Sequence, residues 1–426
     1  MSYYYQKYYI IAFLLIFLSS ISFFIPKKLK INITIVFIAT LIGLYFIEGY
    51  LLMQNIKQDK FVIYKTDTGK DYDKRTKFDI YQDLKKEEPN IAVMLEPSLF
   101  LDNKNLSYLP LSGISNHKTI FCNEGGYYSI FQSDRYGFNN PDDEWDKEQI
   151  EFLLVGDSFT LGACVNEPDT ISGNLKKLID NKNGILNLGQ AGDGPLFEYA
   201  TLREYLPVKK VKRVLWVYYE NDLGNLKREL KNQILVNYLK DKSFTQNLIL
   251  RKQEIQKILL NKLEQKELEI KRAKQHILES ERLERKRFFE LIRFAKLFFT
   301  REMIGNFYYW KIKFQYYSPA HKKEFKNILK LSNEFIKQNN SKLYFVYLGN
   351  YYRYVAGNNQ DGYMYYKEVI QIVENLNIPI IDINELFEKH EDPLSLFPFR
   401  KRNHYNEKGY QLIAKTIFEK INGLEK

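Results

Sequence analysis

The sequence predicts an α/β protein: an open parallel sheet of about five strands with helices on both faces, an N-terminal transmembrane helical hairpin, and a long helical insertion. Three observations carry that prediction. Apolar runs at 151–155, 185–189, 211–218, 342–348 and 378–383 alternate with stretches of helical period, the rhythm of strands joined by crossover helices. Several of these runs stop abruptly in glycine, Asn or Asp, as buried strands do where they reach the edge of a sheet. The first 55 residues hold two apolar segments joined by a short basic turn. The boundaries expected from these features are 1–55 for the hairpin, 56–150 for a mixed strand and loop segment, and 151–225 and 321–426 for the two parts of the sheet domain. The helical insertion occupies 226–320.

With 426 residues, 45% hydrophobic and 27% charged, the chain can bury a sizeable core, which excludes wholesale disorder. Its net charge of +11 is spread over Lys-rich helical stretches after Leu226. No zinc-finger, helix-turn-helix or RNA-binding pattern accompanies it, so nucleic acid is not an expected partner and the charge reads as solvated surface.

In the hairpin, 10–25 and 31–47 are apolar and Pro26-Lys27-Lys28-Leu29-Lys30 joins them. Tyr3, Tyr4, Tyr5, Tyr8 and Tyr9 suit an interfacial belt. A cleaved signal peptide fits less well, for want of a basic leader and a small-residue cleavage site. Lysines in the turn place it in the cytoplasm, so the rest of the chain is expected on the periplasmic side of an inner membrane. From 56 to 150, short apolar pieces alternate with turn signals. Leu109-Pro110-Leu111-Ser112-Gly113 and Cys122-Asn123-Glu124-Gly125-Gly126 read as turns between short strands, and Asp134-Arg135 as a turn held by its own Asx hydrogen bonds. Cys122 and Cys164 flank the strand at 151–155; they are either bridged or two buried thiols, and their spacing is not that of a zinc site.

That strand runs into Gly156-Asp157-Ser158, the way a sheet presents a nucleophile at its carboxyl edge. Asp157 is expected to brace the turn. A helix at 170–179 follows, then the second strand and the loop Gln190-Ala191-Gly192-Asp193-Gly194-Pro195, whose glycines let backbone amides approach a ligand. After a helix at 196–205, the third strand ends in Tyr219-Glu220-Asn221-Asp222; Asp193 and Asp222 read as loop braces rather than metal ligands. The stretch 226–299 has neither Pro nor Gly and carries an apolar stripe, Ile255, Leu259, Leu263, Ile270, Ala273 and Ile277. It is expected as one or two long helices laid on the core, or as an arm that docks a partner. Helices at 322–338, 362–375 and 407–421 complete the sheet's cover. Tyr351-Tyr352-Arg353-Tyr354, after the fourth strand, lines a cleft or forms an aromatic cluster.

Ser158, Gly192, Asn221 and His404 therefore follow strands that share one edge. A serine, a histidine able to take its proton near neutral pH, and amide donors for an oxyanion suffice for acyl transfer from an ester. No cofactor or metal is called for.

On these residues the sequence resembles the SGNH/GDSL hydrolases. Gly156-Asp157-Ser158-Phe159 matches the first block, Gly192 in Gln190-Ala191-Gly192-Asp193 the second, Asn221 in Glu220-Asn221-Asp222 the third, and His404 in His404-Tyr405-Asn406 the last. Tyr219 stands where the third block usually has glycine. The resemblance covers about 150–225 and 340–426. It implies a flavodoxin-like sandwich and an esterase, deacetylase or O-acyltransferase with Ser158 as nucleophile and His404 as base. Ser158, Gly192 and Asn221 would form the oxyanion hole. The family usually carries Asp three residues before the histidine; here that position is Lys401, so either a backbone carbonyl or Asp392 is expected to orient His404. The substrate class expected is an ester-linked acyl group of a cell-envelope polysaccharide, then a lipid ester. The alternative is a non-catalytic SGNH-like module that binds glycans or docks a membrane acyltransferase.

Overall fold

The computed structural model describes residues 13, 16, 17, 19, 20, 23–57, 59–180, 182–275, 289, 291–308, 321–355 and 365–425. They fall into two compact units, one of 1–62 with 277–311 and one of 63–276 with 312–426.

The larger unit holds a five-stranded, wholly parallel sheet. Its strands are β4 (Gln149–Gly156), β5 (Gly184–Asn187), β6 (Lys210–Tyr219), β7 (Lys342–Leu348) and β8 (Ile380–Asp382), in the order β5-β4-β6-β7-β8. β4, which leads into Ser158, thus lies between β5 and β6. Both faces are covered, and alternate side chains serve different cores. On one face Leu153 and Val155 of β4, Trp216 and Tyr218 of β6, and Phe345 and Tyr347 of β7 meet Leu196, Tyr199, Phe325, Ile328 and Val369. These partners come from helices Pro195–Tyr205, Lys322–Gln338 and Tyr366–Glu374. On the other face Phe152, Leu154, Leu215, Val217, Tyr344 and Val346 meet Ile171, Ile383, Phe387, Ile413 and Ile417, from helices Ile171–Lys176, Ile383–Glu388 and Glu407–Leu424. Burying each such side chain contributes roughly 1.5–3 kcal/mol relative to exposure, which is why these runs are strands of a central sheet and not surface helices. Of the helix expected at 362–375, the part before 365 lies outside the described residues.

Ahead of this sheet stands a smaller one of three strands, β1 (Ile91–Val93), β2 (Lys118–Ile120) and β3 (Ile130–Gln132), with β1 parallel and β3 antiparallel to β2. Met94, Phe121 and Phe131 from this region pack with Leu161, Ala163 and Ala191 in a small apolar cluster. The accessory sheet is thereby held against the turn after Ser158 and the loop before Gly192.

The insertion is more broken than its lack of Pro and Gly suggests. It gives helices Asp222–Glu229, Gln233–Lys240 and Lys252–Gln275. Asn232 caps the second, its Oδ1 accepting from Leu235 N at 3.1 Å, and Asp241 holds the turn after it, Oδ1 accepting from Ser243 N at 2.8 Å. Side-chain caps interrupted what periodicity alone joined. Ile255, Leu259 and Leu263 are buried in the first core, as the stripe predicts, and Glu267 accepts from Gln82 at 3.0 Å. Of the residues after Gln275, the described ones at 289 and 291–308 belong to the N-terminal unit.

In that unit, helix Lys27–Lys57 contains a stretch, Lys27–Gln54, long and apolar enough to cross a membrane. It packs against helix Phe298–Tyr308. Most of the hairpin's first arm, 10–25, lies outside the described residues.

Candidate active site

β4 carries the site's first residue to the carboxyl edge of the sheet. Gly156 has no room for a side chain: a Cβ there would lie 2.4 Å from the Val217 carbonyl oxygen of the neighbouring strand. Asp157 braces the turn as expected, its Oδ1 accepting from Phe159 N at 2.9 Å. Burial pushes its carboxyl up to about 6, and the nearby His404 pulls the other way. Ser158 then begins the short helix Ser158–Leu161.

Ser158 Oγ lies 2.9 Å from His404 Nε2. His404 comes from the loop before helix Glu407–Leu424, 246 residues away in sequence, and its ring rests against Phe159 with centroids 4.6 Å apart. Phe159 itself stacks on Tyr219 at the end of β6, at 3.8 Å. Nδ1 of His404 faces Glu124, 3.0 Å from Oε1 and 3.1 Å from Oε2, and Glu124 Oε2 also accepts from the His404 backbone N–H at 2.8 Å. A carboxylate there holds the proton on Nδ1 and leaves the Nε2 lone pair turned to the serine. The three side chains form one hydrogen-bonded series, Glu124 to His404 to Ser158, half-buried at its outer end.

The orienting acid is therefore Glu124, not Asp392. Asp392 is engaged by Arg400, with Nη2 donating to Oδ1 at 2.8 Å and Nη1 to Oδ2, and this guanidinium holds its carboxyl below the usual range. An exposed local ion pair eight residues long outcompetes a reach back to the histidine. Glu124 sits on the loop after β2, in the stretch read only as a turn. Two fastenings hold that loop. Cys122 is disulfide-bonded to Cys164, six residues beyond Ser158, so the open alternative resolves to a bridge. Tyr127 donates to Glu407 Oε1 at 2.6 Å, at the start of the helix that follows His404. The signal that could have found Glu124 was the bridge itself: pairing Cys122 with Cys164 puts the acid two residues along beside the turn that carries Ser158. Glu124, Cys164 and His404 bring atoms within 4.8 Å of one another, but the sulfur is spent in the disulfide and offers no thiolate to a metal.

Gly192 and Asn221 end the loops after β5 and β6, on either side of β4. Gly192 has φ of +78°, and a Cβ on it would lie 3.0 Å from Ser98 Oγ. Among the described residues neither its N–H nor the Asn221 side-chain amide donates to the protein, and Asn221 is exposed. Their loops are braced from below. Asp222 Oδ2 accepts from Tyr219 N at 2.8 Å, Asn225 donates to the Asp193 carbonyl at 3.0 Å, and Glu229 accepts from Gly194 N at 2.6 Å and Leu196 N at 3.0 Å. Burial pushes the Glu229 carboxyl up to about 8 and raises Asp193 and Asp222. Asp222 braces its loop through its carboxylate, whereas Asp193 does so only through its backbone carbonyl, its Oδ1 making no hydrogen bond among the described residues. After β7, Tyr351 and Tyr354 pack on Phe397, and Arg353 is buried against Glu220, so that stretch is an aromatic cluster.

No protein-family model matches the chain, and no curated protein is significantly similar to it. Among solved structures it is similar to a member of the lipolytic protein G-D-S-L family from Veillonella parvula, at 13% identity over 63% of this chain and 97% of that one, TM-score 0.33. The lipase/acylhydrolase from Enterococcus faecalis gives 12% identity over 64% and 96%, TM-score 0.34. A two-domain esterase active on acetylated mannans gives 10% over 66% and 51%, TM-score 0.32. At such likeness, what this chain can do rests on its own strand order and site.

Proposed function

We propose that this protein is a serine esterase or O-acyltransferase of the SGNH type. One observation carries the reading: Glu124, His404 and Ser158 are joined by successive hydrogen bonds at the carboxyl edge of a parallel sheet. Ser158 Oγ attacks an ester carbonyl while His404 Nε2 takes its proton, and Glu124 stabilises the imidazolium so formed. The oxyanion of the tetrahedral intermediate is met by N–H of Ser158 and Gly192 and by the Asn221 side-chain amide. As the intermediate collapses, the alkoxide leaves with the proton from His404, and an acyl-Ser158 remains. Water, or a sugar hydroxyl, then attacks with His404 again as base, releasing the acid or a new ester.

The substrate class that fits is an O-acyl group on a cell-envelope polysaccharide, then a lipid ester, because the apolar stretch Lys27–Gln54 would tether the enzyme beside the envelope with its active unit on the outer side. Binding without catalysis, alone or with a membrane acyltransferase as partner, drew its support from the missing carboxylate at position 401; Glu124 supplies that carboxylate from elsewhere. A fluorophosphonate probe tests the proposal. It should label Ser158, and labelling should vanish in Ser158→Ala. A folded, membrane-inserted protein that takes no label would refute it.

A further inference from the structure

The N-terminal unit carries a buried acid that catalysis does not use. Glu48 lies on the helix Lys27–Lys57, and none of its surface is exposed. A hydrocarbon core takes roughly 20 residues of helix; counted from Ile31, after the lysines, that reaches Tyr50. Glu48 therefore sits at the far edge of the apolar layer, where an unpaired carboxylate is costly. It is not unpaired. Oε1 accepts from Phe299 N at 2.9 Å, and Oε2 accepts from Thr300 N at 2.7 Å and Thr300 Oγ1 at 2.8 Å. These are among the first N–H groups of helix Phe298–Tyr308, donors with no partner inside their own helix, so one helix supplies the other's N-terminal cap. One turn earlier on the span, Tyr45 donates to the Ala295 carbonyl at 2.9 Å and its ring lies 5.7 Å from that of Phe294.

The segment 291–305 is thus fastened to the apolar helix at two successive turns, level with the edge of the hydrocarbon. Its outward side chains include three large apolar ones. Leu291 is 69% exposed, Met303 49% and Ile304 59%, beside a span whose own Phe46 and Tyr50 are 76% and 62% exposed. Exposed Lys296, Arg301 and Glu302 accompany them, two cations to one acid. Apolar side chains with flanking cations, held at that depth, have the composition of an interfacial segment.

We propose that 291–305 is a second membrane contact. Leu291, Met303 and Ile304 lie among phospholipid acyl chains near the headgroup boundary, Lys296 and Arg301 face headgroup phosphates, and Glu48 locks the segment to the span. The proposal rests on the reading of Lys27–Gln54 as membrane-spanning and extends it: the segment 291–305 of the insertion belongs to the anchor.

The test uses the full chain in vesicles of phosphatidylethanolamine and phosphatidylglycerol doped with a phospholipid bearing a photoreactive diazirine in its acyl chain. Adducts are mapped by mass spectrometry. Adducts are expected on 31–50 and on 291–305. In Met303→Asp/Ile304→Asp, and in Glu48→Ala, those on 291–305 should fall at least fivefold while those on 31–50 persist as the internal control. Adducts on 31–50 alone would overturn the second contact and leave the span standing. Adducts on neither would overturn the span and the contact together. Unchanged labelling of 291–305 in Glu48→Ala would overturn the lock.

Discussion

Glu124→Gln is the substitution that bears most directly on the mechanism. The side chain keeps its length and an oxygen able to accept from His404, but the charge is lost and the two oxygens no longer accept at once from Nδ1 and from the backbone N–H, at 3.0 and 2.8 Å. When Ser158 gives up its proton, an imidazolium forms beside this group. Both partners are about a quarter exposed (25% for His404, 22% for Glu124), so an effective dielectric near 20 is the appropriate scale, and a unit pair at about 4 Å is then worth about 4 kcal/mol. At about 1.4 kcal/mol per decade that is roughly a thousandfold in kcat; loss of the correct histidine tautomer, where the amide presents its NH2 to Nδ1, takes the expected fall to about 10⁴. KM should change little, because the acid does not touch the substrate. The assay is steady-state hydrolysis of a short-chain aryl ester as a function of pH, with thermal unfolding as a control for the fold. A folded Glu124→Gln that keeps kcat within tenfold of the parent would refute the assignment, and so would a loss of comparable size in Asp392→Asn.

Three further outcomes are expected. Asn221→Ala should lower kcat by about 10²–10³ with little effect on the unfolding temperature, since one oxyanion donor is removed from an exposed side chain that braces nothing; equal kcat would show that Asn221 does not face the oxyanion. Cys122→Ser/Cys164→Ser removes a bridge of sequence separation 42, worth about 4 kcal/mol by loop-closure entropy. Because the bridge anchors the loop that carries Glu124, kcat should fall at temperatures where the variant is still folded, as read by near-UV circular dichroism beside the ester assay; full activity there would mean that Tyr127 alone positions the acid. Glu229 has a folded-state carboxyl raised to about 8 by burial, against an ordinary value of 4.5, so the folded protein retains a proton that the unfolded chain has lost. The stabilisation is fully present below about 4.5 and lost as pH rises through about 8. Glu229→Gln removes the titration but also one of the two acceptors, so its unfolding temperature should lie below the parent's near pH 4.5 and the gap should shrink or reverse by pH 8.5, whereas a pH-independent difference would contradict the raised value.

The local periodicity of the sequence determined the main sheet. Strands such as 211–218 and 342–348 are apolar on both faces, and only a central strand of a covered parallel sheet can bury both, as Trp216 and Val217 do on opposite sides. Ser158 and His404 were legible for the same reason: strand ends of a parallel sheet share an edge, so residues 246 apart meet without any information about their contact. Gly192 and Asn221 were placed by that rule on loops either side of β4.

Three features needed the tertiary structure, each because the deciding partner is remote in sequence. Glu124 lies in a glycine-rich turn whose local pattern marks only a change of direction; the disulfide, and Tyr127 on Glu407 280 residues away, turn it toward His404. Asp392 looked available because sequence spacing shows no competitor, but Arg400 binds it where it stands. The charged insertion read as one or two long helices because helical period takes no account of caps, yet Asn232 and Asp241 break it, and its segment 291–305 joins the apolar N-terminal helix through Glu48. Period and strand order follow from near neighbours along the chain, so the sequence by itself determines them. Which acid serves His404, and which helix Glu48 caps, depend on competition among groups that only the folded chain brings within hydrogen-bonding distance.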